Sequence, residues 1–530
     1  MEHIIIPRFM KTNWDKFFAY VLNIDNQVLN NFFEGKEELD ESRTKIVKEI
    51  LAFYKALRIE YLEAESFESF LVEEFSNVYG NGNHKFNVLR KHFGGEIMEI
   101  STDDKILSIL SKFGMQVYPL FLIKGSDTTE AFMIKTAAFP SQFFENEDMQ
   151  VLYSAILNDS SLKKLFPNDN ENNMFNLRAN YFSSLGRGGT MSLAVFPKNI
   201  IMKAFELASL KGAVTQSSFL KSIEEVLRMI RDVADGKTIK VPVYLGFNNV
   251  DLGNIDYIDL GYGTIMKYHE EILNMVLKGA KAAKHYDINN IQGFILRSNY
   301  NYSIFSSGEE DINSKKDLPS YIDERRKLDK ITENLSLTFA LAIDRYPPVG
   351  IFETWTMIFD PLYAGINISY YGGTKYPMKN HIIKKEEKKS IIEWSSKVEL
   401  AKDKKIRIAI RSIVSAINKK IDPIDGFIDS IIAWENLFGG HGEQTYIIFT
   451  SIAKLLKNTA EERFSLQKEI KKLYNARSCL LHGAKEFTYK EAIEMRDRSL
   501  QIAILSLKQL YEKHQDLIDD RDRSKKLILM

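Results

Sequence analysis

Three helix-start signatures between residues 422 and 491 confine the C-terminal third of this chain to helices. Asp422-Pro423-Ile424-Asp425 offers a capping carboxylate, a proline at the first helical position and an acid in the first turn. It predicts a helix running to Phe438. Thr459-Ala460-Glu461-Glu462 and Thr488-Tyr489-Lys490-Glu491 both have the capping-box form, in which a hydroxyl and a glutamate satisfy each other's backbone N–H groups. In the helix that Thr459 opens, Leu473, Ala476 and Leu480 recur at helical spacing and should form its buried stripe. Gly483 suits the left-handed position that ends such a helix just after His482. A bundle of four to six helices is expected over residues 381–530.

The preceding residues alternate in character, so the fold class expected is α+β: an N-terminal mixed α/β region followed by an all-α bundle. The divisions expected are 1–235, 236–380 and 381–530. Residues 40–79, 200–210, 217–234 and 324–344 read as helices, and 238–247, 351–358 and 364–371 as extended segments. Residues 116–123 and 131–137 flank Lys124-Gly125-Ser126-Asp127 like the limbs of a hairpin, and 191–196 reads as a strand after a glycine-rich turn at 185–190. Gly236-Lys237-Thr238 resembles the end of a phosphate-binding loop, but Arg231 stands where that loop's first glycine belongs. It reads as a turn.

At 530 residues the chain exceeds what one hydrophobic core organises, and 45% hydrophobic content is ample for packing throughout. The single cysteine, Cys479, excludes an intrachain disulfide framework and any multi-cysteine zinc site. The histidines show no metal-ligand spacing, and His441 reads as a loop residue. No metal and no cofactor are expected. Met1-Glu2-His3-Ile4-Ile5-Ile6-Pro7-Arg8 lacks the pattern of a signal peptide, and no apolar run of about 18 residues occurs. A cytoplasmic location without membrane association is therefore expected. Net charge is zero, yet residues 376–530 carry 30 Lys/Arg against 22 Asp/Glu, a net +8 that leaves −8 for the rest. Lys402, Lys404, Lys405, Arg407 and Arg411 lie on or beside one predicted helix and are candidates for tracking a phosphate backbone. The alternative is a solvated face balanced by Glu386, Glu387, Glu393 and Glu399.

The one place where a cleavage chemistry can be written from neighbouring residues is Lys472-Leu473-Tyr474-Asn475-Ala476-Arg477-Ser478-Cys479-Leu480-Leu481-His482-Gly483. A histidine can move the proton of a ribose 2′-hydroxyl near neutral pH, and a planar, always charged guanidinium can hold the phosphate on which charge builds. These are the requirements of a metal-free ribonuclease. Five positions at 100° per residue set Arg477 and His482 roughly 140° apart around a helix. Either the last turn is distorted, or the site is completed by a second copy across a two-fold axis.

Upstream stand Ile428-Asp429-Ser430-Ile431-Ile432-Ala433-Trp434-Glu435-Asn436-Leu437-Phe438-Gly439-Gly440 and Gly442-Glu443-Gln444-Thr445-Tyr446. With the Arg477–His482 segment, these blocks resemble the Apea-like HEPN domain, an all-helical ribonuclease module, over roughly the last 150 residues. The resemblance implies that Arg477 and His482 are the catalytic pair, that Ser478 tunes them and that Glu435 supports the site from the earlier helix. It further implies a homodimer formed through this domain, metal-independent cleavage of cellular RNA such as tRNA or another structured RNA, and 2′,3′-cyclic phosphate products. The setting it implies is bacterial antiphage defence by abortive infection, with the N-terminal region restraining the nuclease or detecting a phage-derived protein. The alternative is a HEPN module used only for dimerisation or for RNA or nucleotide binding, the N-terminal region then carrying the activity.

Overall fold

A computed structural model describes the chain apart from residues 1–9, 12–13, 61–66, 77–78, 81–82, 125–136, 140–146, 168–176, 213, 283–292, 307–320, 372–379, 401–404, 419–421, 440–443 and 484–485. The architecture is mixed α+β, predominantly helical with several small sheets. Helices α1 (Asp15–Leu22), α2 (Asn26–Phe33), α3 (Glu41–Glu60), α4 (Phe67–Ser76) and α5 (Lys85–His92) enclose an aromatic core. There Phe17 meets the Phe86 ring edge-on at 4.8 Å and the Trp14 ring edge-on at 5.9 Å. A short ladder of β1 (Tyr79–Gly80) and β2 (Asn83–His84) separates α4 from α5.

The hairpin expected at 116–123 is not formed. Residues up to Phe121 belong to α6 (Lys105–Phe121), because the Asp104 carboxylate accepts from the N–H groups of Ile106 and Leu107, at 3.0 and 3.2 Å, and opens a helix there. Nearly all its later residues are buried, and that packing outweighs the β-preference of Val117 and Tyr118. The expected second limb, 131–137, lies outside the described residues except for Ala137. After α7 (Glu147–Asn158), β3 (Arg178–Ser183) and β4 (Arg187–Ser192) form a hairpin. The expected strand at 191–196 is thus only the end of β4, since the proline at the first turn of α8 (Phe196–Leu210) starts a helix early. Gly236, with φ +78°, follows α9 (Gln216–Ala234) as its left-handed terminator, which accounts for Gly236-Lys237-Thr238 as a turn.

The largest sheet is antiparallel, in the order β12 (Ile368–Tyr370), β11 (Phe352–Ile358), β5 (Ile239–Asn248), β9 (Phe294–Tyr302), β8 (Thr264–Met266), β7 (Tyr257–Asp259). α10 (Glu270–Ala282) lies between β8 and β9 in sequence. Among the contacts across residue 235, β10 (Ile304–Ser306) pairs with β3, and the Tyr300 hydroxyl donates to the Ser184 carbonyl at 2.6 Å. β6 (Val250–Asp251) and β13 (His381–Ile382) pair in parallel.

Helix α11 (Tyr321–Ala342) joins the sheet to the bundle. Its Phe339 ring stacks on Phe294 at 5.6 Å, and Phe294 stacks on Phe247 at 5.2 Å. It also packs on α12 (Lys385–Leu400) and α13 (Arg407–Asn418), so the helical layer begins upstream of residue 381. The rest of the bundle is α14 (Pro423–Phe438), α15 (Gln444–Leu456), α16 (Ala460–Leu481), α17 (Tyr489–Lys513) and α18 (Arg523–Leu529). The expected capping boxes at Thr459 and Thr488 are both present, and the Asp422 carboxylate accepts from the Ile424 N–H at 2.9 Å.

α14 packs between α13 and α17. The buried Trp434 indole donates to the Ser499 carbonyl at 3.2 Å. At the far end the buried Arg523 guanidinium donates to the carbonyls of Leu437 and Leu517, each at 2.7 Å, and to that of Ile518. Ser524 donates to the Phe438 carbonyl at 2.7 Å. These bonds satisfy carbonyls that a helix end otherwise leaves without partners. Among the described residues no helix is long and apolar enough to cross a membrane. Truncation of Trp434→Ala should cost about 3–5 kcal/mol, as for other large buried aromatics. Urea denaturation followed by circular dichroism would measure this, and a loss below about 1 kcal/mol would show that α14 does not depend on this packing.

Candidate functional site

α16 is held by one stripe, Leu466, Ile470 and Leu473, and by the Arg498 guanidinium of α17, which bridges both oxygens of Glu469 at 2.6 and 2.8 Å. Beyond Leu473 the helix rises toward the bundle surface. Tyr474, Ala476, Arg477, Ser478, Cys479 and Leu480 are half-buried, while Leu481, His482 and Gly483 are exposed.

Arg477 faces α14. Its Nη2 lies 3.7 Å from the Glu435 Oε2, and its Nε is buried with no hydrogen-bond partner among the described residues. The Tyr474 hydroxyl, one turn earlier, donates to the other Glu435 oxygen at 2.7 Å. Burial, and then this bond to a carboxylate, push the Tyr474 phenol up to about 12, so it stays a neutral donor across the physiological range. The Tyr474 ring is itself held edge-on against Phe449 of α15 at 5.6 Å. Glu435 therefore meets two residues of the facing helix, a short hydrogen bond on one oxygen and a longer ionic contact on the other.

His482 occupies the C-cap of α16, with φ −94° and ψ 4°, and its N–H donates to the Ser478 carbonyl at 3.1 Å. Gly483 takes φ +65° and donates to the Leu480 carbonyl at 3.1 Å, the helix stop expected from its position. The helix is regular through Leu481, which keeps the roughly 140° offset of the two side chains. Among the described residues the His482 imidazole has no hydrogen bond to Arg477, Ser478 or Glu435. One chain thus brings Arg477, Glu435 and Tyr474 together and leaves His482 at the rim. Ser478 lies beside Arg477 and contributes its carbonyl to the helix end, and Cys479 is a free, half-buried thiol.

The candidate phosphate-tracking residues sit elsewhere in the bundle. Lys402 and Lys404 lie outside the described residues, as does His441. The Lys405 ammonium donates to the Asp519 carbonyl, Arg407 is half-buried at the start of α13, and Arg411 pairs through Nε with Glu333 of α11 at 3.1 Å. Among the described residues no group of three or more His, Cys, Asp or Glu side chains is placed to hold a metal ion.

Tyr474 was read from the sequence only as an apolar neighbour for burial between copies, and its bond to Glu435 was missed. It stands three residues before Arg477, where helical spacing puts both on one face, and that spacing was the available signal. Comparison with protein-family models, curated proteins and solved structures found no match. Because the Arg477–Glu435 contact is long and about a quarter exposed on both sides, Glu435→Gln should change stability by less than about 1 kcal/mol. Chemical denaturation would test this, and a loss above about 2 kcal/mol would make the pair a structural strut instead.

Proposed function

We propose that this chain is a metal-independent endoribonuclease of the HEPN type, with Arg477 and His482 as its catalytic residues and with two copies forming each cleft. The observation that carries the reading is the state of Arg477. Its guanidinium is positioned by one long ionic contact at Nη2 and is partly exposed, so a phosphate oxygen can replace or add to Glu435 at little cost. An exposed imidazole stands at the end of the same helix.

In this reading one His482 takes the proton of the 2′-hydroxyl as its oxygen bonds to phosphorus. The protonated His482 of the second copy gives its proton to the departing 5′-oxygen as the P–O5′ bond breaks. A 2′,3′-cyclic phosphate and a 5′-hydroxyl result, with atoms and protons balanced and one acid and one base both in use. Arg477 binds the non-bridging oxygens on which charge accumulates. Tyr474 and Glu435 hold the guanidinium in orientation, and Ser478 lies beside it.

The regular last turn of α16 supports the two-chain arrangement, since it offers no distortion that would bring His482 to Arg477 within one chain. Exposed apolar side chains near the end of α16, Leu481 at 53% and Tyr489 at 69%, are suited to a homodimer contact. The structured RNA substrate, the antiphage setting and restraint by the N-terminal region follow from the resemblance and complete the proposal.

Arg477→Ala and His482→Ala should each abolish RNA cleavage and cellular toxicity without unfolding the chain, and wild-type activity should survive excess EDTA. Sequencing RNA ends from expressing cells, with chemistry that reports cyclic phosphates, is the measurement. Undiminished cleavage by either purified variant rules the assignment out and leaves a binding or dimerisation module in its place.

Dimer dependence is separately measurable. Activity should fall on dilution through the dimer dissociation constant. Added His482→Ala chains should depress wild-type activity beyond simple dilution, because each mixed cleft lacks one proton carrier. Full activity from a strictly monomeric species in sedimentation would exclude the composite cleft.

A further inference from the structure

Arg325, Asp329 and Glu333 recur every four residues along α11 and so share one face. That face forms one wall of a cleft of about 630 Å3, with α13 opposite and β11 between them. Phe352 and Glu353 of β11 and Tyr371, just beyond β12, complete it. None of these residues belongs to the Arg477 site.

Glu353 is the most enclosed of the charged groups. Its two oxygens accept from the hydroxyls of Thr356 and of Thr332, the latter at 3.2 Å. The nearest cation, Arg325 Nη2, stands 3.9 Å away, beyond hydrogen-bond range. Burial raises the Glu353 carboxyl above its ordinary range, against the opposing pull of those hydroxyls and Arg325. A buried carboxylate in this condition is short of an N–H partner. Arg325 is already committed, its Nη1 donating to the Tyr371 hydroxyl at 2.9 Å and its Nε lying 3.4 Å from Asp329.

Arg411 is different. It is more than half exposed and uses its Nε for Glu333 at 3.1 Å, which leaves its two Nη groups for an anion. The Tyr371 ring, whose hydroxyl Arg325 holds, adds flat apolar surface. The cleft thus combines an acceptor in need of N–H donors, an aromatic ring and a guanidinium whose Nη groups are unpaired among the described residues, in a volume typical of small-molecule sites.

We propose that this cleft binds a purine nucleotide, with the N–H edge of the base on Glu353, the ring against Tyr371, and the phosphate on Arg411. Guanine suits the carboxylate best, because its edge presents two adjacent N–H donors. The proposal stands apart from the ribonuclease reading and needs no RNA cleavage for its test.

The test is calorimetric titration and thermal-shift measurement of the full-length chain with GMP, AMP and inorganic phosphate. GMP should saturate one site and raise Tm, with AMP weaker and phosphate alone not saturating. Glu353→Gln, which keeps the side-chain shape, and the exposed Arg411→Ala should each weaken GMP about tenfold or more. Arg477→Ala should leave GMP affinity unchanged. Failure of both nucleotides to saturate at millimolar concentration, saturation by phosphate alone, preference for AMP, equal GMP binding by both cleft variants, or loss of GMP binding in Arg477→Ala would each overturn the proposal.

Discussion

The clamp on α14 sets the position of Glu435, and the candidate site follows from it. Trp434 is buried and hydrogen-bonded to α17, so the next residue, turned 100° around the helix, is directed toward α16, where Tyr474 and Arg477 meet it. The far end of the helix is held by Arg523 and Ser524, nearly ninety positions later in sequence, which occupy the Leu437 and Phe438 carbonyls. A guanidinium at a helix C-terminus is favoured by the helix dipole as well as by these bonds. A charged residue near the end of the sequence therefore fixes the rotation and depth of a helix whose key carboxylate works elsewhere.

What could be read from the sequence was governed by how local the physics is. The caps at Asp422, Thr459 and Thr488 and the stop at Gly483 involve neighbours within a few residues, and all four were legible. The helix through Gln116–Phe121 was not, because burial against distant elements decides it. Arg411 and Lys405 were read only as basic residues on or beside a helix, and their partners from far away in the chain, Glu333 and the Asp519 carbonyl, required the structure. The Glu353 cleft draws on residues spread from 325 to 418 and carries no motif at all. Arg477 and Glu435 were legible as residue types, whereas their contact and the Tyr474 bond beside it required the structure.

At the Arg477 site the relative strengths of its contacts matter more than their number. The Tyr474–Glu435 bond is short and charge-assisted, and the Arg477–Glu435 contact is long and partly wet. In the proposed nuclease, an anion that drew the guanidinium away would leave the stronger bond holding Glu435 in place, and Glu435 would guide Arg477 rather than compete for it. A shorter, bidentate pair would have had the opposite effect, since a phosphate would have to displace a well-made ion pair before binding.

Packing is continuous between the cleft and this site. Asn418, at the end of α13, accepts the Ile351 N–H at 3.1 Å and donates to the Ser336 hydroxyl at 2.8 Å, tying α13 to the start of β11 and to α11. α13 in turn packs along α14, the helix that carries Glu435. Continuity alone is not coupling, which requires an element with two arrangements that both sites bias. What the Asn418 junction supplies is attachment: β11 and α13 cannot separate at the cleft without breaking the Ile351–Asn418 hydrogen bond, and α13 cannot leave α11 without breaking the bond to Ser336.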